Sequence, residues 1–287
     1  MVACLRLFVK HCRERLNRGE TRMHILVTND DGILAPGLRF LYKALLAAGH
    51  TVDVVAPATE QSGVGHAITL ASPLRVKKYA DGDFSGMGVF GTPVDSVKLG
   101  LSELLSRKPD IIASGINAGA NVGPDIMYSG TVAAAREAAA MGYRALAVSH
   151  DSFAPADLGG YAAAAVSIME HIPWSCIPPQ RVLNLNLPAI PIQECKGLAL
   201  CPQTSATWRD WYHKREDPRG IPYWWLDGAI PPEKVLSGTD REQLSAGWAT
   251  LTPLRFDFTD SETMEALAQA LRDNNNMQAH PLRFLAL

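Results

Sequence analysis

From Met23 onward the chain alternates short apolar runs with longer segments whose apolar residues recur at helical spacing, the pattern that a parallel sheet with crossover helices requires. His24 to Thr28 predicts a short buried strand, and Pro36 to Ala48 a helix with proline in its first turn and Gly49 as its stop. Thr51 to Ala56 is the next strand. Asp110 to Ala113 and Ala145 to Ser149 flank a helix predicted from about Thr131 to Met141, which makes a second βαβ unit. Leu158 to His171 predicts a further helix and Arg181 to Leu187 a further strand. The fold class is therefore α/β, with a doubly wound, Rossmann-like three-layer core over residues 23–190.

After Pro188 the texture changes. Trp208, Trp211, Trp224, Trp225 and Trp248 cluster among Pro, Gly and other aromatic residues, and Asp217-Pro218-Arg219-Gly220 predicts a turn between two aromatic-rich runs. An extended β-hairpin this apolar needs a partner surface, and exchange between subunits supplies one. Met264, Leu267 and Leu271 predict an amphipathic terminal helix before the polar break Asn274-Asn275-Asn276. Residues 191–287 are read as a hairpin and oligomerisation region with that terminal helix, within the same domain as the core.

Residues 1–22 form an N-terminal extension. Arg6, Lys10, Arg13, Arg15, Arg18 and Arg22 outweigh Glu14 and Glu20, and Leu5, Phe8, Val9, Cys12 and Leu16 fall at helical spacing. A small basic amphipathic helix would permit membrane-surface or targeting roles. Charges interrupt any apolar signal core, however, and Met23 opens the first strand, so the expectation is an extension without function and a start at Met23.

The remaining composition narrows the class. With 47% hydrophobic and 20% charged residues among 287, the chain has ordinary globular usage. Twenty-seven Lys and Arg against 29 Asp and Glu give a net charge of −2, which argues against a duplex nucleic-acid binder and makes any anion site local. The five cysteines show no C-x-x-C or zinc spacing, and apolar runs fall short of the roughly 18 residues that span a bilayer. The expectation is a cytoplasmic protein with no membrane partner.

Four polar segments follow predicted strands and converge at one sheet edge. The first strand ends in Thr28-Asn29-Asp30-Asp31-Gly32, where adjacent carboxylates favour a hard divalent cation, although an ordinary capped turn has the same composition. Glu60-Gln61-Ser62-Gly63 follows the second strand; Ser62 offers a hydroxyl, while His66 beside Ala67 and Ile68 reads as structural. Ser114 to Gly123 contains Asn117 and Asn121, whose amides offer neutral oxygens and donors, among glycines that permit close approach. Tyr128-Ser129-Gly130-Thr131 stands at a helix start, where free N–H groups, hydroxyls and the dipole make an anion cradle, or plain N-capping. A cation site beside a phosphate-sized cradle specifies phosphoryl chemistry.

With these segments the chain resembles the SurE family of metal-dependent nucleotidases. Ile25 to Gly32, Glu60 to Gly63, Gly91-Thr92-Pro93-Val94-Asp95, Ser114 to Gly123, Tyr128 to Val132, Leu183 to Pro188 and Asp217 to Gly220 carry the resemblance, over about residues 23 to 260. The resemblance implies one divalent ion per subunit, Mg²⁺ or Mn²⁺, held by Asp30, Asp31, Ser62 and Asn117. It implies phosphate at Ser129, Gly130 and Thr131 with Asn121 nearby, and hairpin exchange into a homodimer or homotetramer. His66 stands where an arginine is more usual in the family. The catalytic set is then Asp30, Asp31 and Asn117, with Asp30 placed to orient or deprotonate the attacking water.

The activity expected is hydrolysis of nucleoside 5′-monophosphates, and of 3′-monophosphates, to nucleoside and phosphate. An exopolyphosphatase acting on short polyphosphate, or a broad acid phosphatase, would use the same site. A signalling receiver would need a phospho-accepting Asp after its third strand, and a haloacid-dehalogenase-type phosphatase would need D-x-D at the first. Neither pattern is present. A nucleotide-binding protein that has lost turnover would keep these residues and is separated from the enzyme by assay.

Overall fold

The computed structural model describes residues 22–155 and 157–273. The helix expected near the N-terminus and the Asn274–Asn276 break lie outside the described residues. His24–Thr28 forms β1, Pro36–Ala47 helix α1 and Thr51–Pro57 strand β2. Val76–Asp81 and Phe84–Val89 form β3 and β4, Pro93–Leu99 α2, Ile111–Ala118 β5, Gly130–Ala140 α3 and Arg144–His150 β6. Leu158–His171 is α4, Arg181–Leu187 β7, Leu198–Leu200 β8, Arg209–Glu216 β9 and Pro222–Ala229 β10. Asp240–Ser245 (α5), Ala249–Arg255 (β11) and Ser261–Asp273 (α6) complete the chain order. Of the described residues, those up to Leu254 form one compact unit and those from Arg255 another, which contains the predicted terminal helix α6.

Nine strands make one sheet in the order β3-β4-β2-β1-β5-β6-β7-β11-β8. The chain builds outward from β1 to β2, then returns to the other flank of β1 with β5. Both neighbours are parallel to β1, so the chain direction switches there and the carboxyl ends of β1 and β5 open a crevice. The last two strands, β8 and β11, come from beyond residue 190, so the sheet draws on sequence outside 23–190.

The strands read as continuous apolar runs because both sheet faces are covered. Ile25, Val27, Ile111, Ala113, Leu146 and Val148 pack with Leu38 and Leu41 of α1 and with Ala162 and Val166 of α4. Leu26, Ile112 and Ala147 alternate with them and face the opposite side, where α2 and α3 pack on one another. Each fully buried Ile or Leu contributes about 1.5–3 kcal/mol relative to exposure. α3 is alanine-rich on its buried side, which lets its backbone lie close to the sheet and brings its N-terminus to the β1 edge.

The expected hairpin is present as an antiparallel pair, β9 with β10. Asp217 closes its turn: its carboxylate accepts from the N–H groups of Arg219 at 2.8 Å and Ile221 at 2.9 Å. Almost every side chain of the pair is exposed. No described helix is long and apolar enough to cross a membrane.

Candidate active site

β1 delivers Asn29, Asp30 and Asp31 past its carboxyl end, and a bond from the Asn29 amide to the Gly32 carbonyl at 3.0 Å shapes the turn. Asp30 is buried against the first turn of α3. Its Oδ1 accepts the Thr131 hydroxyl, and the N–H groups of Gly130 and Thr131 also point at the carboxylate. Any Cβ at position 130 would stand 2.6 Å from the Cβ of Asp30 and 2.8 Å from its Oδ2, so only glycine admits this approach. Burial raises the Asp30 pKa more than these hydrogen bonds lower it.

Asp31 lies at the other side of the crevice, where its Oδ2 accepts the Ala118 N–H at 3.3 Å. Burial, then the neighbouring Asp30 charge, push its pKa up to about 6; the Ala118 bond opposes them, and Glu60 adds further repulsion. Two carboxylates held at such cost are a site that a cation would relieve.

Asn117 precedes Ala118 in β5. Its amide nitrogen donates to the Gly119 carbonyl at 2.7 Å, which fixes the side chain and leaves Oδ1 as its acceptor. Strand β5 runs on to Ala118, because Asn117 and Ala118 pair with Ser149 and His150 of β6 across a register shift. The sequence pattern had ended this strand near Ala113. Gly115 makes the shift possible at φ +137°, where a Cβ would meet the Val148 carbonyl at 2.2 Å.

The loop after β2 closes the set. The Gln61 N–H donates to the Asp30 carbonyl at 2.8 Å, and the Gly65 N–H to the Tyr128 carbonyl at 3.1 Å, which ties this loop to both β1 and the cradle. Ser62 is exposed and donates to Glu60 Oε1 at 2.8 Å. Asp30 and Asp31 after β1, Ser62 in the loop after β2 and Asn117 near the end of β5 thus stand at one edge of the sheet. Among the described residues no group of three His, Cys, Asp or Glu is disposed for a metal. A cation here would rely on two carboxylates and two neutral oxygens, a donor set that suits Mg²⁺ or Mn²⁺.

The cradle groups are engaged within the chain. Ser129 Oγ accepts the Val132 N–H at 3.0 Å as the cap of α3, and the hydroxyl of Thr131 goes to Asp30. Asn121 is buried behind them, with its amide nitrogen on Ser149 Oγ at 2.8 Å. Its backbone N–H donates to Asn186 Oδ1 at 2.8 Å, and its carbonyl accepts from Asn184 at 2.8 Å and Asn186 at 3.1 Å. The motif Leu183 to Pro188 therefore places two asparagines on a buried strand to clamp this loop, a role the sequence reading did not assign. Their signal was two polar residues at strand period inside an apolar run.

His66 is paired: its Nε2 lies 2.8 Å from Glu137 Oε2, and Lys98 reaches the other oxygen at 2.7 Å. Burial alone would raise the Glu137 pKa, but these two partners hold it below the usual carboxylate range.

The family described as Survival protein SurE has a model that matches residues 25–210. The 5′-nucleotidase SurE of Nitratidesulfovibrio vulgaris is 62% identical over 258 residues, covering 90% of this chain and 96% of the relative. That of Oleidesulfovibrio alaskensis is 67% identical over 247 residues, covering 86% of this chain and 95% of the relative. The crystal structure of the SurE protein from Aquifex aeolicus superposes with a TM-score of 0.75 at 34% identity, over 86% of this chain and 99% of that one.

Proposed function

Because the chain belongs to the SurE family, we propose that it is a 5′-nucleotidase that hydrolyses nucleoside 5′-monophosphates, and 3′-monophosphates, to nucleoside and inorganic phosphate. The observation that carries this reading is the meeting of the Asp30–Asp31 pair with the N-terminus of α3 at the switch point of the sheet. Asp30, Asp31, Ser62 and Asn117 would hold one divalent cation, which when bound supplies a Lewis acid for the phosphate and lowers the pKa of water.

The protein's own groups do the rest. Asp30 orients the attacking water and takes its proton, a task suited to a carboxylate whose pKa burial has raised. The start of α3 at Ser129, Gly130 and Thr131, with the Asn121 loop behind it, binds the phosphate oxygens and stabilises the charge that develops on them. Water oxygen bonds to phosphorus while the ester oxygen leaves toward solvent, where it is protonated.

The hairpin extends the proposal to assembly. Residues opposite one another share a face, so Tyr212, Leu226 and Trp224 line one side and Trp211, Trp225 and Tyr223 the other. A ribbon that exposes large aromatic side chains on both faces gains from burial on both, and exchange between copies in a dimer or tetramer would provide it.

The test is phosphate release from a panel of nucleoside 5′- and 3′-monophosphates with Mg²⁺, with Mn²⁺ and after EDTA. Release that stops with EDTA and returns with metal supports the reading; a folded Asp30→Ala variant with wild-type turnover overturns it.

A further inference from the structure

The segment from Asn121 to Ser129 leads into the phosphate cradle, and its regular structure is one short 3-10 helix, Gly123–Met127. A segment with so little internal bonding needs external support to hold its groups to the tolerance that catalysis requires. The support at Gly123 comes from two side chains of the C-terminal region. Its N–H donates to Asp240 Oδ2 at 2.8 Å, and its carbonyl accepts from Gln203 Nε2 at 2.6 Å. Two residues on, Asp125 accepts the Trp208 indole N–H at 2.5 Å and faces Arg241 Nη2 at 3.7 Å.

Asp240 is fully buried, 0% exposed, and no ion pair reaches it among the described residues. Its charge is compensated by backbone donors: Gly123 on Oδ2, and Thr204 and Arg241 on Oδ1, each at 2.8 Å. An asparagine of the same shape would serve the two donors on Oδ1. The second carboxylate oxygen is needed for Gly123, so the buried charge is accounted for by its hold on the site segment. Thr204 stands before the β9–β10 hairpin and Asp240 after it, so the same carboxylate also closes the root of the hairpin.

We propose that Asp240 is a positioning residue for the hydrolysis, holding the Asn121–Ser129 segment in its phosphate-binding geometry through the N–H of Gly123, with Gln203 gripping the carbonyl of the same residue. This inference rests on the nucleotidase reading above for the identity of the ligand. Asp240 touches neither the cation ligands nor the cradle; it acts on phosphate affinity through the backbone.

The experiment compares the full-length wild type with Asp240→Asn and Gln203→Leu, each with saturating Mn²⁺. Asp240→Asn keeps the shape and the Oδ1 bonds but turns an N–H₂ group toward the Gly123 N–H. Gln203 is exposed, so its replacement leaves folding intact even where the buried variant fails to fold. Measured are kcat and KM for a nucleoside 5′-monophosphate, Ki for inorganic phosphate, the Mn²⁺ concentration for half-activation, and Tm. Asp240→Asn should raise KM and phosphate Ki together by about tenfold, and Gln203→Leu by about threefold, as expected for loss of single hydrogen bonds. Half-activation by Mn²⁺ should not move. A general loss of structure would shift all of these in parallel, so the split between phosphate and cation separates positioning from stability. Unchanged KM and Ki in folded Gln203→Leu, or in folded Asp240→Asn, would overturn the proposal. A wild type that hydrolyses no nucleoside monophosphate removes the nucleotidase reading instead. Calorimetric binding of inorganic phosphate to the same three proteins then decides: weaker binding in the variants supports positioning by Asp240, and equal binding, or none to the wild type, overturns it.

Discussion

The hydroxyl of Thr131, in the first turn of α3, donates to Oδ1 of Asp30 at the end of β1, so a helix start and a strand end meet on one carboxylate. Thr131 is fully buried and its bond crosses 101 positions of sequence, which makes it a tertiary contact and not a local cap. Thr131→Val keeps the shape and removes the donor. Loss of a hydrogen bond to a charged group costs about 1.5–3 kcal/mol, so kcat/KM should fall by about 10- to 100-fold, with Thr131→Ser restoring most of it. Steady-state kinetics on both variants, with circular dichroism to establish folding, checks this. Equal activity in the valine variant would remove Thr131 from the site.

Gly130→Ala tests the same junction from the backbone. Alanine favours a helix over glycine by about 1 kcal/mol, so α3 itself gains. The added Cβ would press on Asp30 at 2.6–2.8 Å, however, and the carboxylate must shift. The expected outcome is a folded protein with Tm near that of the wild type and kcat lower by about 100-fold, because misplacement of a reacting group is costly even when the fold survives. Thermal melting and turnover measured on one preparation separate the two effects.

What the sequence made legible follows from burial. β1, β6, β7 and α4 stand almost where the apolar runs place them, since these strands are covered on both faces, whereas β5 runs on to Ala118 past the end of its apolar run. The edge was not legible. β3 reads Val-Lys-Lys-Tyr-Ala-Asp and is exposed, while β4 carries two glycines, so neither has an apolar run to reveal it. β8 has three residues and declares itself only by pairing with β11. In the site, Asp30 and Asp31 stand out as adjacent carboxylates after an apolar run, while Ser62 and Asn117 join them as ligands only through the family resemblance. The roles of Asn184, Asn186 and Asp240 could not be read, because the partners that define them are backbone groups 36 to 117 positions away, the Arg241 N–H beside Asp240 apart.

Asp95 gives a pH-dependent stability. It completes the cap of α2 by accepting the Thr92 N–H at 2.9 Å, and it also accepts the Thr69 N–H at 3.0 Å and the Thr69 hydroxyl at 2.6 Å. Burial pushes its pKa up, but the bonds from Thr69 and Thr92 together hold it below the ordinary 3.8. A depressed pKa means that the stabilisation is complete above the unfolded value and is lost as pH falls through the folded one. Asp95→Asn should therefore lower Tm at pH 7, and the gap from wild type should narrow as the pH drops below about 4. Melting curves across that range check it; a gap that stays constant with pH would assign the loss to packing instead of charge.

The hairpin yields a prediction about assembly that is independent of chemistry at the site. Trp224 is 56% and Leu226 60% exposed on one face, and Trp225 is 60% exposed on the other. Hairpin tryptophans bury about 150–250 Å² each when covered, and such anchors dominate interface energies. Trp224→Lys with Leu226→Lys charges one face and leaves the turn at Asp217 intact. If the ribbon is clasped between copies, this double variant sediments as a monomer while the wild type sediments as a dimer or tetramer. Trp225→Lys, on the opposite face, should weaken assembly too, because exchange buries both sides; a variant set in which only one face matters would indicate that copies meet side by side without exchange.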